Sequence, residues 1–285
     1  MTEAATGSFR ARVFAAVSER GPLCAGIDPS SALLKRWGLD DDARGAHAMG
    51  ARCIESFAPW VAAAKFNVAF FERFGSAGLA TLEALLGLAR AAGLVTIADA
   101  KRGDISSTNV AYAQAWLGDG PLAADAMTVS PYLGFEALTP YFDAAAKADR
   151  GVFVVVRSSN AEGRPIQKAL LAGPECRSDG PSSVEAALLA DVERQPADVV
   201  GAVIGISARP EPIALAPSRV YLAPGVGAQG ATAQDLAALF WHVPMTSTLV
   251  NLSRPLLAAG PESHSLSVAA EHAKQEISAG FCPPA

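Results

Sequence analysis

The chain has 285 residues, a formal net charge of −5 and 51% hydrophobic residues, enough apolar content to bury a large core. No run of lysine and arginine forms a basic stripe, so nucleic acid is not an expected partner. The opening MTEAATGSFRARVF lacks the apolar centre of a secretory leader, and no apolar run approaches the ~18 residues that span a bilayer. A soluble cytoplasmic protein with no membrane partner is expected.

Short apolar runs rich in β-formers alternate with Ala/Leu-rich segments along the whole chain. In order they are LCAGID (23–28), AAAKFN (62–67), LVTIAD (94–99), AMTVSP (126–131), GVFVVVR (151–157), VGAVIGI (200–206), RVYLAPG (219–225) and STLVNLS (247–253). Between them, ATLEALLGLARAAG (80–93) and SVEAALLADVERQ (183–195) repeat apolar residues at i, i+3, i+4 and i+7, the period of a helix with one buried face. Glycine closes the first of these as a helix C-cap does. Continuous rather than alternating apolar strands imply burial on both faces, hence a parallel sheet. Eight β-then-α units close most naturally into a single α/β domain over 1–285, a (β/α)8 TIM barrel. A doubly wound sheet has the same local pattern. The widest break in spacing is 158–182, and connections of that length usually carry function.

Four cysteines, Cys24, Cys53, Cys176 and Cys282, form no CxxC pair, so neither a zinc site nor a disulfide framework is expected. His47, His242, His264 and His272 show no metal-ligand spacing, and no metal site is expected.

The unusual polar residues fall where such barrels place their chemistry, at the C-terminal ends of strands. Asp28 ends the first strand, Lys65 interrupts the second, and Asp99 and Lys101 close the third. Ser158, Ser159 and Asn160 follow the fifth strand, a glycine-rich turn at 225–230 follows the seventh, and Arg254 follows the eighth. Asp99 and Lys101 are two apart, so an extended strand turns both to one side with Cα atoms ~6–7 Å apart. Asp104 comes after Gly103 and can turn back toward a neighbour. Two lysines and two aspartates alternating in sign satisfy one another without a net buried charge. Such an array holds an ammonium fixed and dry, as stabilising or protonating a carbanion requires. The plainer readings are a Lys65 side chain reaching out of the core to water and a solvated loop at DAKRGD. In APGVGAQGAT (223–232), exposed backbone N–H groups can cradle a phosphate, helped by the helix that follows. Arg254 sharpens that expectation, because the loops after strands seven and eight are the recurrent phosphate site of barrels. The competing reading makes the turn only a turn and Arg254 a structural ion-pair residue.

With these residues in view, the chain resembles the orotidine 5'-phosphate decarboxylase family in its longer bacterial form. The likeness runs through GIDPS, AAKFNVAFFE, DAKRGDISST, SPYLG, SSNAEG, APGVGAQG and NLSR. It implies conversion of orotidine 5'-phosphate to UMP and CO2 in pyrimidine biosynthesis, with no cofactor. Lys101 would stabilise and protonate the C6 carbanion, while Asp99 would hold Lys101 and oppose the charge of the departing carboxylate. Lys65 and Asp104 would complete the array. Asp104 and Thr108 would be supplied from the partner subunit of a homodimer. Asp28 and Lys65 would contact ribose hydroxyls, and Ser159 the pyrimidine edge, with Ser158 the alternative because the SSNAEG loop departs from the family at Ala161. Gln229, Gly230 and Arg254 would grip the 5'-phosphate. Ala161 stands where the family often has proline, and Pro255 where a small residue is commoner. The nearest rival is a metal-dependent sugar-phosphate decarboxylase or aldolase on the same barrel, which places an acid rather than Lys65 on the second strand to help hold Mg²⁺. A non-catalytic sensor of nucleotide phosphates would keep the rim without turnover.

Overall fold

The computed structural model describes residues 7–172, 182–227 and 230–281. Eight parallel strands form its closed barrel: β1 (Leu23–Ile27), β2 (Ala63–Asn67), β3 (Val95–Arg102), β4 (Ala126–Val129), β5 (Gly151–Arg157), β6 (Val200–Ile204), β7 (Tyr221–Pro224) and β8 (Thr248–Leu252). The sheet closes where Leu23 pairs with Val250 and Cys24 with Asn251. Closure explains the continuous apolar runs, since every strand is covered by packed interior on one side and helices on the other.

The outer layer comprises α2 (Ala43–Phe57), α3 (Gly75–Ala91), α4 (Ser106–Leu117), α5 (Thr139–Lys147), α6 (Val184–Glu193), α7 (Ala233–Phe240) and α8 (Ser263–Gly280), and α1 (Phe9–Arg20) precedes the first strand. Gly93 follows α3 at φ 74°, the left-handed conformation that ends a helix without a Cβ clash. One β-then-α unit departs from expectation. Between β6 and β7, residues 205–220 form no helix; ARPEPIALAPS carries prolines too closely spaced for one. In the long connection after β5, the described residues include a short helix, Arg164–Gln167, and a small antiparallel ribbon pairing Leu170 with Ser183.

The barrel interior is layered. Its lower half is apolar, filled by Cys24, Ala63, Ile97, Phe153, Leu222 and Leu249. Phe9 and Val13 of α1 plug the N-terminal mouth, with Phe9 edge-on to Phe153 at 5.7 Å between ring centroids. Polar side chains enter only in the upper layer, at the strands' C-terminal ends. A filled base beneath a polar rim confines binding to one end of the barrel.

Candidate active site

Inward positions on adjacent strands bring Asp28, Lys65, Asp99 and Lys101 to one cavity of about 290 Å³ at that rim. Parallel pairing sets Lys65 level with Gly26 and Ile97, and Asn67 level with Asp99. Lys65 Nζ donates to Asp99 Oδ2 at 3.0 Å and lies 4.0 Å from Asp28 Oδ1. Lys101 Nζ donates to the other carboxylate oxygen, Oδ1, at 2.6 Å. One carboxylate thus binds an ammonium on each oxygen. Burial opposes charge on both Asp99 and Lys65, but the attraction of opposite charges prevails. Asp99 is held well below the ordinary carboxylate range by Lys65 and Lys101, and Lys65 is raised above the ordinary lysine range by Asp99 and Asp28. Beneath them the Cys24 thiol is pushed up to about 12 by burial, so it stays neutral.

The neighbouring arginine faces away from the array. Arg102 pairs with Glu72 and lies over the rings of Tyr112 and Trp116. The DAKRGD segment therefore splits its two cations, Lys101 to the cavity and Arg102 to the α4 side.

Other predicted residues gather around the same space. Ser158, Ser159, Asn160, Gly225 and Arg254 all line the cavity. The two serines differ, since the Ser158 hydroxyl accepts from Gln167 Nε2 at 2.8 Å and its backbone N–H donates to Gln167 Oε1. That ties Ser158 to the short helix. Arg254 is exposed at the mouth, on the turn that follows β8. The glycine-rich loop holds Gly225, Gly227 and Gly230 at positive φ, a backbone that aims N–H groups in ways other residues resist. Gly230 lines a neighbouring cavity on the outer side of that loop, and Gln229 lies outside the described residues. At the start of the following helix a Thr232–Asp235 capping box occupies the N–H groups of Thr232 and Asp235.

Asp104 and Thr108 do not line their own chain's cavity. The Asp104 carboxylate accepts from the Ile105 N–H at 2.8 Å, and buried Asn109 clamps the Asp104 backbone through both its N–H and its carbonyl. Thr108 is exposed in the first turn of α4. Three polar lining residues were not singled out from the sequence: Thr128, Asn251 and Ser253. Each is a polar residue at or just after an inward strand position, the signal that marked Lys65, but carries no charge to draw notice. Among the described residues, no group of three or more His, Cys, Asp or Glu could hold a metal ion. No helix among them is long and apolar enough to cross a membrane.

Comparison with known proteins agrees with this geometry. The sequence profile of the orotidine 5'-phosphate decarboxylase / HUMPS family matches residues 21–267. The chain belongs to that family. It is 46% identical over 266 residues to the orotidine 5'-phosphate decarboxylase of Salinispora arenicola, covering 93% of this chain and 95% of that protein. The Streptomyces coelicolor enzyme of the same name is 44% identical over 276 residues, 94% of this chain and 96% of its own. In structure the chain is similar to Leishmania donovani OMP decarboxylase, with a TM-score of 0.77, 29% identity and coverage of 96% and 99%.

Gly26 is where the packing of β1 against the end of β8 can be tested. A Cβ there would sit 1.8 Å from Ser253 Oγ and 3.0 Å from Asn251 Nδ2. Gly26→Ala displaces the Ser253 side chain, whose Cβ would also lie 2.9 Å away, and through it disturbs the turn that carries Arg254. The variant is expected to raise KM for a phosphorylated substrate about tenfold or more while circular dichroism stays unchanged. Unaltered steady-state kinetics would show that the 253–254 turn does not hold substrate.

Proposed function

We propose that this chain decarboxylates orotidine 5'-phosphate to UMP and CO2 in de novo pyrimidine biosynthesis, working in the cytoplasm as one barrel domain over its 285 residues. The observation that carries the reading is the Lys101 ammonium at the cavity mouth, 2.6 Å from Asp99 and backed by Lys65. As the bond from C6 to the carboxylate carbon breaks, its electron pair stays on C6 and CO2 departs. The Lys101 ammonium stabilises that carbanion and gives it a proton, and the neutral amine left behind recovers a proton from solvent. Asp99 keeps Lys101 in place and opposes the substrate's carboxylate charge, a repulsion relieved as CO2 leaves. Asp28 and Lys65 contact the ribose hydroxyls, Ser159 the pyrimidine edge, and Gln229, Gly230 and Arg254 the 5'-phosphate. A preorganised donor is typically worth ~3–4 kcal/mol, whereas difficult reactions need up to ~20, so the array and the phosphate grip must act together. The buried Lys65 ammonium also weighs against the metal-dependent sugar-phosphate alternative, since it would repel a divalent cation at the position where those enzymes place an acid.

The active unit in this reading is a homodimer in which Asp104 and Thr108 serve the partner's site. Support comes from the apolar surface beside them: Ile105, Val110, Tyr132 and Leu133 are 56%, 43%, 81% and 53% exposed.

Two experiments test the proposal. Loss of orotidine 5'-phosphate absorbance in excess EDTA is expected with the parent chain and absent with Lys101→Ala, whose half-exposed side chain can be removed without unfolding the barrel. No turnover in EDTA, with sugar-phosphate activity restored by Mg²⁺, would transfer the chain to the metal-dependent branch. For the shared site, inactive Lys101→Ala and Asp104→Ala chains are unfolded together and refolded. Half the dimers then carry one intact site of two, so activity should return to about a quarter of the parent value. A mixture that stays inactive, with dimers present, would contradict sharing.

A further inference from the structure

Lys101 has a problem that its burial does not solve. Its side chain is 54% exposed, so packing does not hold the ammonium in place. Its backbone is also irregular. Ile97 faces Ala126 and Ala98 faces Met127, which would set Val129 opposite Ala100, yet Val129 faces Arg102. Strand β3 thus carries two extra residues between Ala98 and Arg102, a bulge that spans Asp99 and Lys101. Within it Lys101 lies at φ 47°, a left-handed conformation that residues with a Cβ enter only under constraint from their surroundings. A bulged residue loses its ladder partner, and the Lys101 N–H must find another acceptor.

Thr128 supplies that acceptor. It points inward from β4, 1% exposed, and lines the cavity. Its Oγ1 accepts from the Lys101 N–H at 3.0 Å and donates to Asp99 Oδ1 at 2.9 Å. The same Oδ1 accepts from Lys101 Nζ at 2.6 Å. A closed ring results: from the Lys101 backbone to the threonine hydroxyl, to the carboxylate, to the Lys101 ammonium. We propose that Thr128 is a positioning residue for the reaction, whose hydroxyl both holds the bulge that carries Lys101 and orients the carboxylate that aims its ammonium. This rests on the reading of Lys101 as the proton donor. Thr128 acts through Asp99 and Lys101 and leaves ribose and phosphate contacts alone, so removing its hydroxyl lowers kcat and spares KM. Valine has threonine's shape without its hydroxyl, and serine keeps the hydroxyl.

The test compares kcat and KM for orotidine 5'-phosphate in Thr128→Val, Thr128→Ser and Lys101→Ala. Thr128→Val is expected to lose about ten- to a hundredfold in kcat, the effect of removing one hydrogen bond to a charged group, with KM within about threefold. Thr128→Ser is expected to stay within about threefold of the parent in both parameters. A Thr128→Val kcat within about twofold of the parent, beside an inactive Lys101→Ala, would overturn the positioning role alone. An active Lys101→Ala would overturn the assignment of Lys101 and the role of Thr128 with it. If Thr128→Val does not fold, Thr128→Ala against Thr128→Ser isolates the hydroxyl, and equal kcat in that pair would refute the proposal.

Discussion

The site depends on one carboxylate shared between two ammonium groups. Asp99 gives Oδ2 to Lys65 and Oδ1 to Lys101. Without it, Lys65 would be a cation in the barrel interior with only Asp28 at 4.0 Å, and Lys101 a long flexible side chain at an open mouth. A buried ion pair is weak support for stability, because desolvation consumes much of the attraction, but removing one partner leaves a buried charge uncompensated. The arrangement is better understood as stability given up for geometry: an ammonium fixed where a substrate can meet it.

The barrel makes that geometry possible in two ways. Its lower layers are packed with apolar side chains and closed by α1, so the array sits on a floor that cannot admit water from below. Parallel register then sets Asp99 on the inward side two residues beyond the position level with Lys65, so the long lysine side chain reaches the carboxylate of the neighbouring strand without any loop having to bring them together. The irregularity needed to bring a second lysine to the same carboxylate is confined to the end of β3, where the strand leaves the sheet and a bulge disturbs no further pairing beyond Arg102 and Val129. The rim at the ends of β7 and β8 is built differently, from a glycine-rich turn and an exposed arginine.

Much of this was legible in the sequence because the signals were strong and local. Eight buried runs announced a parallel sheet, and Lys65 within AAAKFN stood out because an unpaired buried lysine is so costly. Other features depended on pairing between strands, which local pattern does not carry. Simple alternation puts Asp99 and Lys101 on one side, and the two side chains do meet, but through a bulge and a left-handed Lys101 that only the register with β4 shows. Thr128 went unnoticed because threonine is an ordinary strand residue, and its position opposite the bulge follows from that same register. The helix expected between β6 and β7 failed where prolines overrode the repeat. The difference in surroundings between Ser158 and Ser159 comes from Gln167, nine residues beyond Ser158 on a short helix that local pattern does not announce.

The central claim is that Asp99 holds both lysines in place and keeps buried Lys65 charged, and the unfolding free energy of the parent and Asp99→Asn across pH tests it directly. At neutral pH the variant should be less stable by about 3–5 kcal/mol, the cost of a buried charge that has lost its partner. The gap should then close in both directions. Asp99 has its pKa lowered on folding, so the parent loses stability as pH falls below the ordinary aspartate value near ~3.9 toward the lower folded one, and the variant does not. Lys65 has its pKa raised on folding, so the parent loses stability as pH rises past the ordinary lysine value near ~10.4. In the variant, Lys65 is left buried without its main partner and sheds its proton earlier, so stability rises toward that same pH. A difference widest near neutrality and narrowing on both sides is the predicted result; a difference that stays constant across the whole range would contradict the account.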